Sequence, residues 1–312
     1  MVQPHPTVPF SIAEYFDYNA SDINDALSYL STLDPLEVAT ASYELDISKF
    51  TGIDQPLTKP CVEQTFEGVE SFLPEHPMNI REAPKLASTP IIIGYTDQEL
   101  GYLFGEGSDY FDNTYQLTDY FNLGFPENHG LEEALETIRH FYMGDKQVSN
   151  DVRHEIVNYG TDLIFGHSTK RMIEQFLEHE AGPVYSYIFS YDGGRNFMKY
   201  LVNVSEPGAL HSDELGYQFD VEELRQNPIN DEDKLVMDRM AKLWANFAKY
   251  GDPTPKVSDL LPVKWNPVTA TTKPHLDINT QLTLKGRPFH SRMAFWDLFY
   301  KLYGSYQMWY QD

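Results

Sequence analysis

The stretch Thr89-Pro90-Ile91-Ile92-Ile93-Gly94-Tyr95 decides how this chain is read. A β-branched run bounded by Pro and Gly is the pattern of a short buried strand. A second run, Val184 to Tyr191, follows a break at Gly182-Pro183 and is rich in aromatic and β-branched side chains. Leu276 to Leu284 reads as a third strand. Between the first two runs, Leu131 to Tyr142, Asp151 to Phe165 and residues 169 to 180 have helical periodicity, the last with Ser168 or Thr169 as its cap. Asp231 to Tyr250 is the clearest helix. Val236, Met240, Leu243, Trp244 and Phe247 share one face of it, and Gly251 then Pro253 end it. Arg292 to Leu302 reads as a closing amphipathic helix with Phe295, Trp296 and Phe299 packed inward. Strands separated by long helical stretches predict an α/β protein with a mostly parallel sheet and flanking helices. Three strands are few for 312 residues, so either further strands are present or part of the sheet lies outside this sequence.

Upstream of these strands the signals are weaker. The first ten residues hold three prolines and read as an extended lead-in. Residues 21 to 33 read as a helix, with Ile23, Ala26, Leu27 and Leu30 at helical spacing behind Ser21 or Asp22. Residues 53 to 90 carry six prolines and predict a long irregular connection. There is no internal repeat and no low-complexity tract.

Composition excludes several classes of function. Hydrophobic residues make up 41 % and aromatics 14 %, enough for a sizeable core. The formal net charge of −24 repels phosphate backbones and anionic lipid heads, so nucleic acid and membrane surfaces are not expected partners. The single cysteine, Cys61, allows neither an internal disulfide framework nor a cysteine-based zinc cluster. No apolar run reaches the ~18 residues of a membrane span. The N-terminus lacks the basic and apolar regions of a secretory signal. Two glycosylation triplets start at Asn19 and Asn203.

Most candidate motifs fail on inspection. His154-Glu155 and His179-Glu180 each open an HExxH pattern, but Asn158 and Pro183 stand where the second His belongs. Both histidines are therefore expected on exposed helix surface. Gly105-Glu106-Gly107 begins GxGxxG, yet Tyr110 replaces the third Gly, and no Walker A sequence occurs. No cofactor or metal is implied. Gly193-Gly194 reads as a turn.

Two loops remain of chemical interest. Glu99 follows the first strand by a few residues, and His211 follows the second through a loop containing Pro207-Gly208. A carboxylate placed after one strand can orient an imidazole placed after another, and the imidazole can then take a proton from a serine hydroxyl. In α/β hydrolases these groups occur in the chain order Ser, acid, His, with the Ser in Gly-x-Ser-x-Gly. That elbow is missing from the 312 residues, and Ser108, Ser168 and Ser212 lack its context.

Five segments in register now point to a family. Gly208-Ala209-Leu210-His211-Ser212-Asp213-Glu214-Leu215-Gly216-Tyr217-Gln218-Phe219 resembles the catalytic-histidine segment of type-B carboxylesterases, the family of cholinesterases and insect carboxylesterases. Ile93-Gly94-Tyr95-Thr96-Asp97-Gln98-Glu99 resembles the catalytic-acid segment. Leu100 replaces the Gly that commonly follows the acid, and Gly101 comes one place later, which keeps Asp97 open beside Glu99. Val184 to Tyr191, Leu243 to Pro253 and Arg292-Met293-Ala294-Phe295-Trp296 are similar to the family's aromatic strand, long helix and closing motif.

The resemblance implies an α/β-hydrolase fold and a serine esterase acting on small carboxylic esters. Glu99 would be its acid, His211 its base, and Glu214 a brace for the histidine loop. It further implies that residues 1–312 correspond to the C-terminal part of the domain. The nucleophile and the oxyanion loop belong to an N-terminal half that this sequence does not contain. The chain alone is accordingly expected to hydrolyse little and to be poorly soluble, its sheet ending in an unpaired edge. The alternative is a non-catalytic, cholinesterase-like interaction protein or a decayed copy. Xenobiotic, pheromone and hormone esters are equally open as substrates.

Overall fold

The computed structural model describes residues 7–48, 62–63, 68, 70–75, 86–105 and 131–303. The chain divides into two units, Met1–Arg81 and Glu82–Asp312. The first unit holds helices α1 (Val8–Tyr15), α2 (Ile23–Leu30) and α3 (Pro35–Ser48). Helix α1 corrects the expected extended lead-in. Pro9 sits in its first turn, where the backbone N–H groups have no intrahelical partner in any case. Of the two caps expected for α2, Asp22 serves, its side chain accepting the Asp25 N–H at 2.9 Å. Helix α3 was not legible because its apolar residues gather on no single face. Of the proline-rich connection, Leu86–Ser88 forms a single 3-10 turn, and most of the rest lies outside the described residues.

The second unit is built on a four-stranded sheet: β1 (Ile91–Thr96), β2 (Val184–Phe189), β3 (His275–Ile278) and β4 (Thr283–Lys285), in that spatial order. The first three strands are parallel and β4 is antiparallel to β3. Gly94 lies opposite Tyr187, where a Cβ would collide with the tyrosine ring and carbonyl, so the close pairing of β1 and β2 requires glycine there. The expected strand Leu276 to Leu284 is in fact a hairpin. Asn279 turns the chain by accepting the Thr280 N–H at 2.8 Å and donating to the Ser190 carbonyl at 2.9 Å.

Strand alternation sends Tyr185, Tyr187, Phe189, Leu276 and Ile278 to one face, where they pack on Val236, Met240 and Leu243 of the long helix α9 (Asp231–Tyr250). Trp265 is fully buried in this layer and donates to the Ser186 carbonyl at 3.0 Å. Gly251 at φ +67° ends α9, as the sequence predicts, and an Asn230/Asp233 capping box, which the sequence reading did not name, starts it. The opposite face presents Ile91, Ile93 and Val184 to Ile173, Phe176 and Leu177 of α6 (His167–Glu178).

Helices α4 (Leu131–Met143) and α5 (Arg153–Thr161) precede α6. The expected break before residue 169 does not exist. A π-helical turn, Asp162–Gly166, carries α5 straight into α6, so Ser168 and Thr169 cap nothing. The wider turn shifts the helical phase, which makes one continuous run look like two helices in sequence. Short helices α7 (Phe197–Val202) and α8 (Leu215–Gln218) flank the loop after β2, and α10 (His290–Tyr303) closes the unit. No described helix is long and apolar enough to cross a membrane.

Candidate active site

Two loops meet at the C-terminal ends of β1 and β2, and four bonds join them. Gln98 N–H donates to the Ala209 carbonyl at 3.0 Å, and Ala209 N–H donates to Asp97 Oδ1 at 2.8 Å. His211 N–H donates to the Glu99 carbonyl at 3.1 Å, and His211 Nδ1 lies 2.6 Å from Glu99 Oε2. Gly208 makes the approach possible. Its φ of +103° is in the region that favours glycine, and a Cβ there would overlap the Gln98 side chain.

Glu99 is only 3 % exposed. It opens the 3-10 turn Glu99–Phe104, and its other oxygen, Oε1, accepts the Thr96 N–H at 2.8 Å. The carboxylate is thus held from both sides. The His211 side chain is 46 % exposed. The Glu99 bond raises its pKa above the ordinary histidine value, against the opposing effect of partial burial. With Nδ1 facing the carboxylate, Nε2 is the ring nitrogen left for chemistry. The Phe165 ring, carried by the π-helical turn, stands 5.3 Å from the imidazole.

The structure separates the two carboxylates that sequence left open. Asp97 faces the Ala209 backbone rather than the imidazole, and burial pushes its pKa up to about 6. Glu214 lies on the histidine loop. Its Oε2 is buried without a hydrogen-bond partner among the described residues. The bonds that hold the loop come instead from its neighbour Asp213, which is fully buried. Asp213 accepts from Leu210 N–H at 2.6 Å, Lys199 N–H at 3.0 Å and Asn196 Nδ2 at 2.9 Å. Sequence reading passed over Asp213. The one available signal was an acid two residues after the histidine, in a loop with many backbone N–H groups to satisfy.

Burial raises the Glu214 pKa from 4.5 to about 7. The native chain therefore holds a proton that the unfolded chain has released, and stability falls as pH rises through that window. Glu214→Gln is expected to leave stability unchanged at pH 4.5 and to raise it by about 1–3 kcal/mol at pH 8, in urea unfolding. An equal gain at both pH values would show that the proton is irrelevant.

The remaining candidates lie elsewhere. Asn19 and Asn203 are both exposed, Asn203 at φ +51° as the C-cap of α7. His154 is exposed on α5, as expected. His179 is half-buried just beyond α6, not on exposed helix, because the chain folds back there toward β2. No cluster of metal-ligating side chains occurs among the described residues.

Comparison with known proteins places this geometry in context. The family model described as the carboxylesterase family matches residues 3–296. Esterase FE4 of Myzus persicae is 27 % identical over 222 residues, covering 67 % of this chain and 38 % of that protein. Carboxylesterase 5A of Mus musculus is 26 % identical over 304 residues, covering 91 % of this chain and 46 % of that protein. The crystal structure of juvenile hormone esterase from Manduca sexta superposes with a TM-score of 0.69 at 20 % identity, over 94 % of this chain and 55 % of that one. The mostly parallel sheet and its helices are thus part of an α/β-hydrolase fold. The chain spans about half the length, or less, of the relatives it matches.

Proposed function

This chain belongs to the carboxylesterase family, and from that membership we propose that it supplies the acid and the base of a serine esterase. The observation that carries the reading is the 2.6 Å contact between buried Glu99 and half-exposed His211. Glu99 holds the Nδ1 proton, which fixes the imidazole tautomer and leaves Nε2 free to accept. His211 Nε2 takes the proton of a serine hydroxyl as the serine attacks the ester carbonyl. The imidazolium formed is stabilised by the Glu99 carboxylate and returns its proton to the departing alcohol. Nε2 then draws a proton from the water that attacks the acyl-enzyme, and returns it to the serine oxygen as the carboxylic acid leaves. The serine and the oxyanion donors are contributed by polypeptide beyond these 312 residues, in which Gly-x-Ser-x-Gly does not occur. Asp213 holds the histidine loop through the three donors whose bonds it accepts.

The test combines p-nitrophenyl butyrate turnover with covalent labelling by a fluorophosphonate. The 312-residue chain alone is expected to show neither. A longer polypeptide carrying the nucleophile elbow is expected to show both. An inert longer form would favour the non-catalytic alternative. Labelling of the short chain on one of its own serines, dependent on His211, would overturn the assignment of the nucleophile.

A further inference from the structure

Between one face of the sheet and helices α6 and α10 lies a cavity of about 270 Å³, just below the ~300–1,000 Å³ of drug-sized ligand sites. Neither Glu99 nor His211 lines it. Its floor is apolar, formed by Ile173, Val268 and Met293. Its walls carry Lys170, Lys273, Arg287 and His290 against a single carboxylate, Asp297. In a chain with a net charge of −24, this is a local reversal of sign.

The charges are not equally available. Lys170 is already matched, its Nζ donating to Asp297 at 2.7 Å and to Glu174 at 3.0 Å. Asp297 in turn also faces His167 Nε2 at 3.1 Å. Lys273 makes one bond, to the Thr269 carbonyl at 2.9 Å, and has two further N–H donors. Arg287 is exposed at the rim. Burial lowers the Lys273 pKa, and Arg287 and Lys170 push it the same way against Glu174. Two neighbouring cations, one of them partly desolvated, over an apolar floor recognise an anion with an apolar body.

The geometry points to a binding site for a small carboxylic acid with an unbranched apolar tail. Its carboxylate lies between Lys273 and Arg287, and its tail lies over Ile173, Val268 and Met293. The site does not depend on the esterase reading, because it uses none of the residues of that reaction.

Calorimetric titration of the chain with octanoate, octan-1-ol and octylammonium tests this. Octanoate is expected to bind at least about tenfold more tightly than either of the others. Lys273→Glu combined with Arg287→Glu is expected to remove that preference. Ala294→Trp, at the exposed mouth, is expected to weaken all binding. Far-UV circular dichroism checks that each variant keeps the parent fold. Failure of octanoate to bind the folded chain, affinity equal to that of octan-1-ol, or a preference that survives charge reversal would each overturn the assignment.

Discussion

Replacing His211 by alanine, in a polypeptide that also carries the nucleophile elbow, is expected to lower kcat for ester hydrolysis by about 10⁴–10⁶-fold. Without the imidazole, the serine hydroxyl has no acceptor for its proton and the alcohol no donor. KM should change little, because His211 acts on the reacting atoms more than on substrate binding. Glu99→Gln is expected to cost about 10⁴-fold, because an amide can donate to Nδ1 and stabilise the wrong tautomer. Asp97→Asn is the control. Asp97 faces the Ala209 backbone, so its change should leave the pH dependence of kcat/KM where it is. Loss of activity in the Asp97 variant alone would assign the acid differently.

The largest effect on stability is expected at Arg292. Its guanidinium meets fully buried Asp162 in two contacts, Nε to Oδ2 at 2.7 Å and Nη2 to Oδ1 at 2.9 Å. Tyr142 donates to the same carboxylate at 2.6 Å, and Trp296 Nε1 donates to the Tyr142 hydroxyl at 2.8 Å. Arg292 also donates to Asn158 at 2.6 Å, which ties α10 to α5 beside the π-helical turn. Arg292→Ala strands a charge in the interior and should cost about 3–5 kcal/mol in denaturant unfolding. Arg292→Met combined with Asp162→Leu removes both charges and should recover most of that loss. A loss below about 1 kcal/mol for Arg292→Ala would mean that the pair is solvated in solution.

These residues also show what could be read in advance. The segment Arg292 to Trp296 was legible as the start of an amphipathic helix, but as a motif only by resemblance. Its physical purpose, an ion pair with Asp162 and stacking of Phe295 on Phe141 at 3.9 Å, depends on packing that no local pattern encodes. Strands β1 and β2 were legible because β-branched and aromatic residues fill short runs between Pro and Gly. Helix α9 was legible because its apolar face and its stop at Gly251 and Pro253 are marked. The β3–β4 hairpin read as one strand because its turn, at Asn279-Thr280, lacks the Asn-Gly or Asp-Gly signal.

The contact between Glu99 and His211 spans 112 positions in sequence. Chain order and loop placement after two strands suggested the two residues separately. Only the parallel pairing of β1 with β2, in which Thr96 lies opposite Phe189, brings their loops together. Asp213 escaped notice because its importance comes from three N–H donors supplied by the loop and by α7, not from its own neighbours in sequence.

The most direct measurement is an NMR titration of the His211 ring, in the parent chain and in Glu99→Gln. A pKa above 6.5 in the parent, falling when the carboxylate becomes an amide, is expected from the Glu99 bond. A pKa at or below 6.5 that the substitution leaves unmoved would contradict the pairing on which the proposed chemistry rests.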